Sequence, residues 1–283
     1  MKTSPYANRI CPPPPRQGLY DPQLERDACG VGMICDIQGG ASHGIVQTAL
    51  DMAVNLTHRG ACGCDATTGD GAGILMQLPD AFLRRVCGDL GFDLPEAGAY
   101  GTGLFFLPPD AAQRARCRAM FEAAVKEQGQ SLIGWRPVPV NHAAIGGLAL
   151  SVEPVIRQVF VGRGAGLADA RAFERKLYVI RKLTERALRA SNLSQKSYGH
   201  MPSLSARTMV YKGMFVADQL GPYFPDLDAP DLASALAIVH QRYSTNTFPA
   251  WDLAQPFRFL CHNGEINTCL LYTSDAADER VRV

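Results

Sequence analysis

Apolar positions in this chain change period repeatedly, and the changes mark the elements. CGVGMICDI (29–37) reads as a strand that opens at Cys29 with small residues. Ser42 then caps a predicted helix whose apolar residues Ile45, Ala49, Met52 and Leu56 recur at helical spacing. A glycine-rich stretch, HRGACGCDATTGDGAG (58–73), leads into the short apolar strand ILMQL. TGLFFLP (102–108) predicts another strand, and Asp110 with Gln113 opens a helix in capping-box fashion that runs to about Gln128. GGLALSVEP and VIRQVFVG predict two strands broken at Pro154. The clearest helix spans 167–190, with Phe173, Leu177, Ile180, Leu183 and Leu188 on one face and charges on the other. RTMVYKGM, LAIVHQRYST and FRFLCHNG predict three further strands. Many short strands and a few helices, without regular βαβ alternation, point to the α+β class and a layered sandwich.

The two ends break this pattern. Residues 1–28 include the run Pro12 to Pro15, which suits neither a helix nor a central strand, so a loosely held and removable segment is expected there. The last stretch, CLLYTSDAADERVRV (269–283), matches no turn or strand logic and resembles translated adaptor sequence. The native sequence is expected to stop at Thr268.

Composition narrows the class of function. The 283 residues are 47% hydrophobic and 19% charged, ordinary for a globular protein with a substantial core. A net charge of +1, from 28 basic and 27 acidic side chains, gives no sign of nucleic-acid binding. No stretch approaches the roughly 18 apolar residues of a membrane span or resembles a signal peptide, so a cytoplasmic location without membrane partners is expected. The nine cysteines are irregularly spaced. In a reducing compartment most would be small buried hydrophobes, Cys35, Cys87, Cys117 and Cys261 among them.

Four polar segments carry candidate chemistry: Cys29-Gly30-Val31-Gly32, His58-Arg59-Gly60-Ala61, HQRYSTNT (240–247) and HNGEIN (262–267). Each alone has a plainer reading, as a core cysteine, a surface arginine or a tight Asn-Gly turn. Cys62 and Cys64 with His58 lack a second ligand pair at zinc-like spacing. Asp70-Gly71-Ala72-Gly73 is not followed by Lys-Ser/Thr, so a glycine-rich turn is expected rather than a phosphate loop. His240 and His262 are expected at strand ends, in structural roles.

Together and in this order, the segments resemble the class II glutamine amidotransferases of the N-terminal-nucleophile hydrolase superfamily. Within it they are most similar to the large-subunit family of bacterial glutamate synthases. The resemblance runs from YDPQLERDACGVG (20–32) through HRGACGCDATTGDGAGIL, FERKLYVIRK, SLSARTMVYKGM and HQRYSTNTFPAWDLAQPFR to HNGEINT. DGAGI, FERKLY, YKGM and TFPAWDLAQP make the choice within the superfamily.

The resemblance implies a four-layer αββα sandwich over residues 29–268, with Cys29 as nucleophile and first residue of the mature chain. A terminal cysteine carries its own α-amine, whose pKa of about 8 lets it take the thiol proton near neutral pH. The resemblance further implies an oxyanion hole from the Asn263 side chain and the Gly264 N–H, and Arg242 as the anchor for the α-carboxylate of L-glutamine. Thr245 or Asn246 would add a polar contact. The family's aspartate for the substrate amine falls beyond the residues supplied, and neither Asp275 nor Asp278 takes that role. This chain alone is therefore expected to hydrolyse glutamine poorly or not at all. No metal is expected in it. FMN and an iron–sulfur cluster are implied for the full-length subunit, together with a small FAD-containing, NADPH-oxidising partner subunit. The alternatives are an amidotransferase serving another acceptor, such as a sugar phosphate, and an inactive regulatory domain.

Expression of the full-length gene tests both ends. Intact mass and N-terminal sequencing should show a chain beginning at Cys29, and the gene should depart from this sequence after Thr268. Full glutaminase activity with residues 1–28 attached would refute the amine as base.

Overall fold

The computed structural model describes residues 15–18, 30–61, 65, 67–167, 169–242 and 248–262. Cys29, Cys62, Cys64, Thr245, Asn246, Asn263, Gly264, Asp275 and Asp278 lie outside them. Seven strands form two antiparallel sheets. The first has the order β1-β7-β2-β6, from β1 (Val31–Cys35), β2 (Ala72–Gln77), β6 (Thr208–Gly213) and β7 (Leu236–Gln241). The second has the order β3-β5-β4, from β3 (Tyr100–Leu107), β4 (Ser131–Pro137) and β5 (Val155–Gly162). Mixed helices and antiparallel sheets are the α+β class expected from the sequence.

Period-two alternation divides the core. Phe105, Leu107, Val159 and Val161 face one way, into a cluster with helices α3 (Ala111–Glu127) and α5 (Ala170–Ala190), which contribute Phe121, Phe173, Leu177 and Ile180. Leu104, Phe106, Ile156 and Phe160 face the other way, into a core shared with Ile74, Met76, Met209, Tyr211 and Val239 of the first sheet. Helix α1 (His43–Asn55) adds Val46, Ala49 and Ala53 to that core. Its N-cap is Ser42, whose side chain accepts from the Ile45 amide, as the sequence predicts. No helix among the described residues is long and apolar enough to cross a membrane.

A buried polar network joins the two sheets. Arg136 of β4 donates to both carboxylate oxygens of Asp226 at 2.6 and 2.8 Å and to Gln158 Oε1 of β5 at 3.0 Å. From the first sheet, Tyr211 donates its hydroxyl to Asp226 at 2.8 Å. Burial opposes the charge on Arg136, and the Asp226 carboxylate outweighs it, holding the guanidinium above its usual range. Burial and the same carboxylate push the Tyr211 phenol well up.

Several expectations are corrected. GGLALSVEP is not a strand; it contains the short helix α4 (Gly147–Ser151). Asp65 and Thr68, distant in sequence, accept from the Leu148 and Ala149 amides and cap it, a tertiary effect that local periodicity cannot show. FRFLCHNG is not a strand over its described residues; Phe257 and Leu260 form only an isolated bridge across a turn. The capping box at Asp110 is half formed. Asp110 accepts from the Gln113 amide, but the Gln113 side chain turns to Ser194 and the Gln195 amide. Cys35 is exposed rather than buried, because it shares the outer side of edge strand β1 with Met33, itself 62% exposed. Helix α2 (Asp80–Gly88) and strand β4 were not anticipated from the sequence.

Removing the Asp226 carboxylate strands a buried guanidinium. Asp226→Ala should cost about 3–5 kcal/mol in urea unfolding, whereas Tyr211→Phe, which leaves the ion pair, should cost about 1 kcal/mol. Equal losses would show that the ion pair is not the dominant tie.

Candidate active site

Strand β7 lies between β1 and β2, and its C-terminal end gathers the polar segments. The Gln241 amide donates to Gly30 O at 2.7 Å, which fixes the residue that follows Cys29 in the chain. The Arg242 amide donates to Gly71 O at 2.8 Å, and the Arg242 guanidinium donates to Asp70 O at 3.2 Å. Asp70 in turn donates its amide to Ala61 O at 2.9 Å, which draws the His58–Ala61 segment to the same place. Gly60 lies so close to β7 that an added Cβ would stand 2.1 Å from Gln241 Nε2.

The fourth segment arrives from the other side. His240, buried on β7, makes a 3.1 Å hydrogen bond from Nε2 to the carbonyl oxygen of His262. A carbonyl can only accept, so Nε2 carries the proton. The His262 amide donates to Gln255 Oε1 at 2.9 Å. Both hydrogen-bonding groups of the His262 backbone are thus held immediately before Asn263. His262 itself lies in a loop and not at a strand end. Its bond to His240 is the kind of structural role expected of both histidines.

Of the expected site residues, Arg242 alone is described. Cys29, Asn263, Gly264, Thr245 and Asn246 lie outside the described residues, but Gly30, Arg242 and His262 are all bonded to one strand end or belong to its continuation. Sequence reasoning passed over Gln241. It is 1% exposed, and neither end of its amide finds a hydrogen-bond partner among the described residues. Its position beside a recognised arginine is the only signal the sequence offers.

Of the other described cysteines, Cys261 beside His262 is only partly buried rather than buried as expected, and the remaining three are poor nucleophiles or lie elsewhere. Burial pushes the Cys87 thiol up to about 12 and moves Cys117 upward too, so both remain protonated at neutral pH. Cys35 stands on the outer edge of β1. Among the described residues, no group of three or more His, Cys, Asp and Glu side chains could hold a metal ion.

Comparison with known proteins follows this geometry closely. The profile of the family described as class II glutamine amidotransferases matches residues 29–274, beginning at Cys29. The chain is 45% identical over 255 residues to the glutamate synthase [NADPH] large chain of Bacillus subtilis, covering 90% of this chain and 16% of that one. It is 43% identical over 251 residues to the corresponding large chain of Azospirillum brasilense, covering 88% and 16%. Against the chloroplastic ferredoxin-dependent glutamate synthase 2 of Arabidopsis thaliana it is 41% identical over 250 residues, covering 88% and 15%. The chain thus spans about one-sixth of the length of these relatives.

Alkylation distinguishes the thiols. With iodoacetamide at pH 8, peptide mapping of the native protein should find Cys35 modified and Cys87 and Cys117 spared until denaturant is added. Rapid native labelling of Cys87 would contradict its burial.

Proposed function

We propose, since this chain belongs to the class II glutamine amidotransferases, that it is the glutaminase part of a glutamate synthase, acting on L-glutamine through Cys29. The observation that carries this reading is the convergence on β7. Gly30, Arg242 and His262 are held together there, and they are the chain neighbours or members of the three segments that the reaction requires.

The chemistry follows from the residue types. With the Ala28–Cys29 bond cut, the free α-amine of Cys29 accepts the thiol proton. The sulfur attacks the side-chain carbonyl carbon of glutamine, and the oxygen takes the negative charge. The Asn263 side chain and the Gly264 N–H are the proposed donors to that oxygen, an arrangement whose value lies in being set before reaction. Collapse breaks the C–N bond, and the amine returns its proton to the leaving nitrogen, releasing ammonia and a glutamyl thioester. Water then attacks the thioester, giving glutamate and the free thiol. Arg242 suits the α-carboxylate of the substrate because its planar fork can donate two parallel hydrogen bonds. Thr245 or Asn246 supplies a further polar contact.

In the intact protein, the ammonia would serve reductive glutamate synthesis from 2-oxoglutarate in a region outside this chain. FMN and an iron–sulfur cluster belong to that region, and a small FAD/NADPH subunit is the proposed partner. The matched relatives are named for NADPH, NADH and ferredoxin. A segment similar to all of them does not choose the electron donor. The fold is that of the N-terminal-nucleophile hydrolases. Residues 1–28 are proposed as the removed leader, 29–268 as the amidotransferase domain and 269–283 as non-native. A cytoplasmic location fits the reading.

Two substitutions in the full-length enzyme test it. Cys29→Ser should keep glutamine binding and lose most hydrolysis. Arg242→Lys should raise KM for glutamine by about 10- to 100-fold, as expected for losing a charged hydrogen bond. Unchanged turnover in Cys29→Ser would place the nucleophile elsewhere.

A further inference from the structure

Four segments on which the resemblance rests, DGAGI, FERKLY, YKGM and TFPAWDLAQP, supply no reacting group to the chemistry above, although Asp70 and Gly71 hold Arg242. In the structure they meet at one place, the loop 248–262 that ends at His262.

The centre of that meeting is Lys212, from YKGM on β6. It is fully buried, which pushes its amine well below the usual lysine range against the pull of the Asp252 carboxylate. Its Nζ donates to Asp252 O at 2.8 Å and Ala254 O at 2.6 Å, and lies 4.1 Å from the centroid of the Phe257 ring. Two carbonyls take its hydrogen bonds, and an aromatic ring lies beside it. All three partners belong to the loop. Burying a lysine against main-chain carbonyls is costly unless each bond is made, so the loop has one position that satisfies it.

The other segments complete the seat. Gly73 of DGAGI lets the loop approach β2 so closely that an added Cβ would stand 2.5 Å from Gln255 O. At Gly71 the same atom would stand 2.8 Å from Ala254 Cβ. Glu174 of FERKLY accepts from the Arg258 guanidinium at 2.6 Å, and Thr208 donates its hydroxyl to Arg258 O at 3.0 Å. From Gln255 the line continues through its side chain to the His262 amide, and from His262 O to His240 on β7.

We propose that Lys212 is a positioning residue for glutamine hydrolysis, fixing loop 248–262 and with it His262, the residue before Asn263 in the chain. This rests on the glutaminase reading above. It gives the family-specific segments one shared task, to hold the backbone that leads into the oxyanion pair.

The test uses the full-length enzyme with glutamine as substrate. Lys212→Met should lower kcat for hydrolysis by roughly 100-fold, the size of losing one oxyanion donor, with KM for glutamine little changed. Protection of the buried Cys87 and Cys117 from native alkylation serves as the folding control; it should be retained. A wild-type kcat, or a raised KM with kcat kept, overturns the proposal. If Lys212→Met does not give a folded protein, Phe257→Leu carries the same test. A several-fold lower kcat at constant KM supports the clamp, and unchanged kcat overturns it. Cys29→Ser, run in parallel, separates the two ideas. Hydrolysis surviving in that variant sinks the glutaminase reading, whereas its loss beside an unaffected Lys212→Met sinks the clamp alone.

Discussion

The antiparallel pairing of β7 with β1 on one side and β2 on the other is the constraint on which the rest depends. Its register sets Val31 opposite His240 and Ala72 opposite Gln241. A one-residue slip would turn every side chain of β7 to the opposite face and take His240 away from His262. Ala237 and Val239 oppose that slip, because both are fully buried in the core shared with the second sheet. The hydrophobic alternation of one six-residue strand therefore aligns polar segments from both ends of the domain.

Buried polar groups then fix what the sheets leave free. Arg136 and Asp226 tie β4 to the 225–228 turn, with Tyr211 binding in from the other sheet. Lys212 ties β6 to the loop before His262. Both are buried polar groups whose partners lie far off in sequence. Apolar contacts set the distance between layers but tolerate sliding, whereas a buried ion that loses a hydrogen bond does not. Each polar tie sits where a layer or loop could otherwise slide.

Much of this could be read directly. The strands at 31–35, 72–77, 100–107 and 208–213 and the α1 and α5 faces follow simple periods, because one side of each is core. Helix α4 escaped because its caps, Asp65 and Thr68, come from another part of the chain. The 257–264 segment looked like a strand because it is apolar, but over its described residues, 257–262, the backbone is engaged by Thr208, Gln255 and its own turn rather than by a ladder. Arg242 and the Asn263-Gly264 pair were legible only through the resemblance of their segments taken together, each having a plainer reading alone. Lys212 and Gln241 were not legible, since a lysine or glutamine in a strand reads as solvent-facing until burial is known.

The bonds from Gln241 to Gly30 and from His240 to His262 also carry a message about time. The first closes a loop of more than two hundred residues, and the second then ties the same strand to the last described segment. Contacts of such long sequence range form late, after local helices and hairpins have removed much of the chain's freedom. During synthesis the first strand must wait, with its pairing edge unmet, until residue 241 has emerged. The start of this domain is therefore among the first parts made and among the last to be assembled.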